Sequence, residues 1–232
     1  VTETIPPRKK QDIESMFNSI ARNYDFANSF FSMGIDRRWR KKLVNELKKE
    51  EPGVIADVAS GTGKLAGLLK RKLKASVYGI DISEKMLEVA RKKYPDISFI
   101  KADGENIPFP DKHFDALTIA FGIRNFENPL TGLKEACRVL KHEGTIAILE
   151  FSQPENNIWG RFFRYYFRTF IPFAGRIISG NKYAYSYLNK SALTFTSGSD
   201  FLELLTETGF IETRQLRLSG GIATIYTAKK PS

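Results

Sequence analysis

Three acidic residues and one glycine-rich turn carry most of the chemical information in this sequence. Asp57-Val58-Ala59-Ser60-Gly61-Thr62-Gly63 closes an apolar run that begins at Val54, and a helical pattern starts at Lys64. A glycine turn between a strand and a helix lets a ligand approach the backbone, which is where doubly wound sheets bind nucleotides. Asp81 follows Gly63 by eighteen residues, a spacing that suits hydrogen bonds to ribose hydroxyls. Asp103, in Ala102-Asp103-Gly104-Glu105, is placed to meet an adenine amino group, with Ile82 and Met86 able to pack on the ring. Gly61 to Ala66 also satisfies the relaxed dinucleotide pattern, so a nicotinamide cofactor stays open on the glycines alone.

Asp57 favours one alternative. A carboxylate ahead of the glycines suits the cationic amino-acid end of S-adenosylmethionine and sits badly beside a pyrophosphate. Methyl transfer from a sulfonium is an in-line displacement with a neutral leaving group, so alignment is the main requirement. A base is needed only for a poor nucleophile, such as the carbon of a phenolic ring, where loss of the hydroxyl proton makes the carbon electron-rich. Tyr24-Asp25 and Phe121-Gly122-Ile123-Arg124-Asn125 offer candidates, with Arg124 suited to stabilising a phenolate. His113 and His142 lie among turn residues, and Cys137 lies among apolar helix positions, so none of them is taken as catalytic. One cysteine and two histidines supply neither a disulfide framework nor a metal-ligand cluster, and no metal is expected.

These residues need a sheet to hold them. Strands are expected at 54–58, 76–80, 97–101, 114–121 and 145–151, alternating with helices at 64–73, 84–93 and 129–140. That alternation argues for an α/β fold with a doubly wound, mainly parallel sheet. The segment 138–144 reads as a helix end and a turn. Helices at about 11–21 and 37–50 precede the first strand, and a long helical region spans about 159–193. After a helix at 199–208, segments 210–218 and 222–228 around Ser219-Gly220-Gly221 read as a terminal antiparallel hairpin, which makes seven strands. The whole chain, 1–232, is expected to be one domain, with an N-terminal helical cap at 1–50 and a helical insertion over the substrate site at 152–198.

The net charge of +10 favours anionic partners, although the basic residues are dispersed and no nucleic-acid motif stands out. No stretch reaches the roughly 18–20 uncharged apolar residues that cross a bilayer. A cytoplasmic protein, with peripheral contact at the inner face of a membrane left open, is the expectation, as is an open question of a homodimer. Arg161, Arg164 and Arg168 share one helical face, opposite Trp159, Phe162, Phe163, Tyr166 and Phe170. Such a helix suits an anionic membrane surface or the entrance for an apolar tail, and core packing gives the same pattern. Pro172 is expected to end it.

Taken together, Tyr24-Asp25-Phe26-Ala27-Asn28, Ser32-Met33-Gly34-Ile35, Arg37 and Trp39, the cofactor motifs, Phe121 to Asn125, Arg138 to Lys141, Leu149 to Ser152 and Tyr185 to Leu188 resemble the ubiquinone and menaquinone biosynthesis C-methyltransferases over nearly the whole chain. The resemblance implies a Rossmann-like class I methyltransferase with S-adenosylmethionine as donor. The implied acceptor is a prenylated quinol, demethylmenaquinol in the first place. It also implies cofactor contacts at Thr62, Asp81, Asp103, Gly104 and Ala120, beside Asp57, Gly61, Gly63, Ile82 and Met86. A proton-removal network of Tyr24, Arg124 and Asp81 is the mechanistic expectation. The chain departs from the family at Ala27, usually Met, at Asp36, usually His, at Ser60, usually Gly, and at Lys64, usually Asp. His142-Glu143 replaces a Pro-Gly turn, and Thr194 to Gly198 replaces a proline-containing segment.

Overall fold

The computed structural model describes residues 9–32, 34–153 and 182–232. Seven strands form one sheet: β1 Val54–Val58, β2 Ser76–Asp81, β3 Ser98–Lys101, β4 Phe114–Ala120, β5 Leu140–Phe151, β6 Ile211–Leu218 and β7 Ala223–Lys229. The helices are α1 Lys10–Phe31, α2 Asp36–Leu47, α3 Lys64–Lys72, α4 Glu84–Lys93, α5 Pro129–Val139, α6 Lys182–Thr194 and α7 Ser199–Glu207. Strand order is β3-β2-β1-β4-β5-β7-β6; β1 to β5 run parallel, while β7 is antiparallel to both β5 and β6. The order reverses between β1 and β4, so their carboxyl ends open a crevice at the switch point.

Period-two alternation sends side chains of the central strands to two cores. Ile55 and Ala116 face Trp39, Leu43, Leu47 and Leu69 of α2 and α3, whereas Ala56, Val58, Leu117 and Ile119 face Leu133, Ala136, Phe201 and Leu205 of α5 and α7. Leu43 and Leu69 are fully buried, and each contributes roughly 1.5–3 kcal/mol by leaving water. A third, smaller cluster joins Ile13, Met16 and Ile20 of α1 to Met86 of α4 and to Ala184 and Tyr187 of α6. It holds α1 beside the crevice.

Local signals place most boundaries. Ser83 caps α4 by accepting the Met86 amide, and Asn128 caps α5 with Pro129 in its first turn. Two expected boundaries are corrected. The first helix runs to Phe31 rather than to about Ala21, because its second half is held by polar contacts to the cofactor turn instead of an apolar stripe. The segment 140–144, expected as a turn, is part of β5. A bulge lies between the Phe114 and Ala116 pairings, Glu143 adopts a φ of 60°, and the backbone of 143–144 exchanges hydrogen bonds with Lys230. Residues 154–181, which include the aromatic and arginine-rich stretch and most of the expected 152–198 insertion, lie outside the described residues. Among the described residues, no helix is long and apolar enough to cross a membrane.

Candidate active site

A pocket open to solvent sits over the carboxyl ends of β1, β2 and β4. Its wall includes Asp57, Gly61, Thr62, Asp81, Ile82, Met86, Asp103, Gly104, Ala120 and Tyr24. Gly63 is the one expected cofactor contact not on this wall. It has a φ of 78°, and a Cβ there would come within 2.8 Å of Phe99 and 3.2 Å of Ala90. Its role is the turn and the close packing of α3 on the sheet. Gly104 lacks space for a different reason, since a Cβ would lie 2.4 Å from the Phe126 ring.

Asp57, the penultimate residue of β1, is almost completely buried. Thr118 Oγ1 donates to its Oδ1 at 2.8 Å, while its Oδ2 has no hydrogen-bond partner. Burial pushes its carboxyl up to about 7, against the pull of Thr118, the Arg40 charge and the Ala66 amide. Asp81 is the better-solvated acid in the hydrogen-bond sense: the amides of Gly61 and Ser83 donate to its two oxygens at 2.7 and 2.8 Å. Burial still pushes it up to about 6. Asp81 thus both shapes the turn before α4 and faces the pocket. Asp103 accepts from the Glu105 amide at 2.9 Å and pairs with Lys10 of α1 at 2.5 Å.

The polar atoms suit a nucleoside bearing an amino acid. Three buried atoms on residues of the wall lack partners: Asp57 Oδ2, Ser60 Oγ and Asn125 Oδ1. A buried acceptor without a donor is expensive, and a ligand ammonium beside Asp57 would satisfy it and restore its charge. Asp81 keeps lone pairs free for ribose hydroxyls. Ile82 and Met86 give an apolar surface for a base.

The expected catalytic trio is not assembled in one place. Tyr24 and Asp81 line this pocket, whereas Arg124 lines a second cavity. That cavity adjoins the first, with Ile13, Asn125, Phe126 and Glu127 in both walls. Arg124 is nearly buried there. Its Nη1 donates to Glu150 Oε1 at 2.6 Å and to the Phe121 carbonyl at 2.7 Å, and its Nε to Ser191 Oγ at 3.3 Å. Each oxygen of Asp81 accepts one backbone amide, which fixes the carboxylate at the pocket wall. His142 is exposed beside the Pro231 carbonyl; His113 is half-buried against Tyr78, Phe109 and Phe114. Among the described residues, no group of three or more His, Cys, Asp or Glu side chains is arranged to hold a metal.

Asp25, beside Tyr24 among the sequence candidates, and Arg40, which was not among them, also reach the wall. Asp25 accepts from Thr62 Oγ1 at 2.6 Å and pairs with Lys93 and Lys64, which together outweigh its burial and hold its carboxyl below the usual range. Arg40 pairs with buried Asp36 at 2.5 Å and stacks over Phe121. The four-residue spacing of Asp36 and Arg40 signals a helix ion pair in the sequence, but nothing there reveals that α2 carries it to the pocket.

A switch-point pocket with a buried acid before the glycines, a ribose-type acid on β2 and a seven-stranded sheet with β7 inserted antiparallel define a Rossmann-like S-adenosylmethionine-dependent methyltransferase. Residues 6–230 match the ubiE/COQ5 methyltransferase family, and the chain belongs to that family. A Bacteroides fragilis demethylmenaquinone methyltransferase is 41% identical over 230 residues, covering 96% of this chain and 94% of the relative. A Thermotoga maritima protein of the same name is 40% identical over 205 residues, covering 88% and 90%. The Geobacter sulfurreducens ubiquinone/menaquinone biosynthesis C-methyltransferase UbiE is 42% identical over 230 residues, covering 96% and 90%. The fold is shared with solved structures of SAM-dependent methyltransferases. One from Thermotoga maritima has a TM-score of 0.63 at 22% identity, covering 94% of this chain and 99% of that one. One from Aquifex aeolicus has a TM-score of 0.58 at 21% identity, covering 80% and 88%.

Proposed function

We propose that the chain transfers a methyl group from S-adenosylmethionine to a ring carbon of demethylmenaquinol, giving menaquinol. The observation that carries this reading is the second cavity adjoining the cofactor pocket through Asn125 and Phe126, with the nearly buried Arg124 on its wall. Support for the acceptor comes from the full-length likeness to proteins named demethylmenaquinone methyltransferase. The bound cofactor supplies an electrophilic methyl carbon; the chain must place the ring carbon in line with it and draw the hydroxyl proton away.

In this reading, Asp57, Thr62, Asp81, Asp103 and Ala120 hold the cofactor, and the ring lies between the two cavities. Arg124, fixed by Glu150, stabilises the phenolate. Tyr24 is assigned to proton removal, and Asp81 serves the ribose. The apolar tail of such a substrate resides in lipid, so the protein meets it as a peripheral protein at a membrane surface. Cosedimentation with anionic vesicles that weakens with salt supports that contact, and its absence at low salt removes it. The acceptor is tested by competing demethylmenaquinol against a demethylated benzoquinol in one reaction. Preferential methylation of the naphthoquinol is expected; preference for the benzoquinol, or methylation of neither, overturns the acceptor.

A further inference from the structure

The end of the pocket near α3 carries a charge pattern that the helix itself disfavours. Lys64 is the first residue of α3, where unpaired amides concentrate positive charge and an anion is the favoured neighbour. The first turn contains no acid, and the cap residue Gly63 offers no side-chain acceptor. Arg40 reaches the same wall from α2, so two cations and a helix N-terminus converge. On that wall stand Asp57, 1% exposed with Oδ2 unpartnered, and the unpartnered Ser60 Oγ. Neighbouring donors and acceptors of this kind complement a zwitterion.

The other contacts of Lys64 are loose. Its Nζ lies 3.4 Å from Asp25 Oδ1, 3.2 Å from the Asp25 carbonyl and 3.2 Å from Ser29 Oγ, all at or beyond the long end of the hydrogen-bond range. Asp25 is satisfied without it, through the 2.6 Å bond from Thr62 and the pairing with Lys93. Burial lowers the proton affinity of the Lys64 amine and the charge of Arg40 acts in the same direction, against the opposing charges of Asp25 and Asp36; an added anion would act with the two acids.

We propose that Lys64, with Arg40 beside it, binds the carboxylate of the cofactor's amino-acid end, while Asp57 faces the ammonium. The proposal rests on the cofactor assignment. It makes Lys64 a binding residue of this chain.

The test is calorimetric binding of two ligands, S-adenosylhomocysteine and 5′-methylthioadenosine, which share the nucleoside and thioether but differ in the amino-acid end. Lys64→Met is expected to weaken S-adenosylhomocysteine about ten- to a hundredfold, the loss of one charge-assisted hydrogen bond, and to leave methylthioadenosine within about twofold. Lys64→Arg is expected to restore most of the affinity. Asp25→Asn, which loosens α1 but keeps the lysine, is expected to retain the preference for S-adenosylhomocysteine. Equal weakening of both ligands by Lys64→Met, no weakening of either, or loss of the preference in Asp25→Asn overturns the proposal. A wild-type chain that binds neither ligand refutes the cofactor assignment and the role of Lys64 with it.

Discussion

Arg124→Ala tests whether the guanidinium is held as the structure shows, before any question of turnover. Arg124 and Glu150 side chains are 5% and 0% exposed. Removing the guanidinium leaves Glu150 with the Phe151 amide on Oε1, at 2.8 Å, and nothing on Oε2. Breaking a buried pair from one side typically costs about 3–5 kcal/mol, a large part of the roughly 5–15 kcal/mol that holds a domain together. Burial already pushes the Glu150 carboxyl up despite Arg124. Without the cation it rises further, and a group raised in the folded state contributes stability below its unfolded pKa that is lost as pH rises through the folded value. The deficit relative to wild type should therefore be larger at about pH 8 than at about pH 5. Urea denaturation followed by circular dichroism at both pH values measures this. Arg124→Met/Glu150→Leu should recover most of the loss, because both charges leave together. A deficit below about 1 kcal/mol at the higher pH, a deficit that grows on acidification, or single-variant costs that add within about 0.5 kcal/mol in the double variant would refute the reasoning.

Cofactor binding should release protons near neutrality, since Asp57 sits at about 7 and a ligand ammonium favours its charged form. Affinity should rise from about pH 6 to about pH 8, and calorimetry in buffers of different ionisation enthalpy should detect the proton; Asp57→Asn should abolish the release. Asp81→Asn should weaken nucleoside binding by about tenfold, read with 5′-methylthioadenosine, because the ribose acceptor loses its charge. Gly63→Ala should destabilise by about 1–3 kcal/mol in thermal denaturation, since it meets both a φ of 78° and the Phe99 ring. In the double Arg124→Met/Glu150→Leu protein, turnover should fall while S-adenosylmethionine affinity stays within about threefold, and unchanged turnover would remove Arg124 from the chemistry.

The sheet was legible because its order follows from local alternation. Val54–Val58 and Phe114–Ala120 are apolar runs closed by turn residues, and the acids at 57 and 81 sit at strand ends by sequence spacing alone. Longer-range partners were not legible. Nothing near Arg124 announces Glu150, 26 residues later, because the two strand ends meet only through the β4–β5 pairing. The second half of α1 was missed for a related reason: Asp25 is held by Thr62, 37 residues away, and this contact leaves no periodic apolar stripe. The packing of Gly63 was not legible either, because turn glycines and packing glycines look alike until Phe99 is placed beside one of them.

The most direct measurement follows an isotopically labelled methyl group from S-adenosylmethionine in a reaction containing reduced demethylmenaquinol and the full chain. The label should appear on a ring carbon of a product one methyl group heavier, located by mass spectrometry and carbon NMR. Label on a hydroxyl oxygen, or a labelled cofactor that binds and is never consumed, would contradict C-methylation of this quinol.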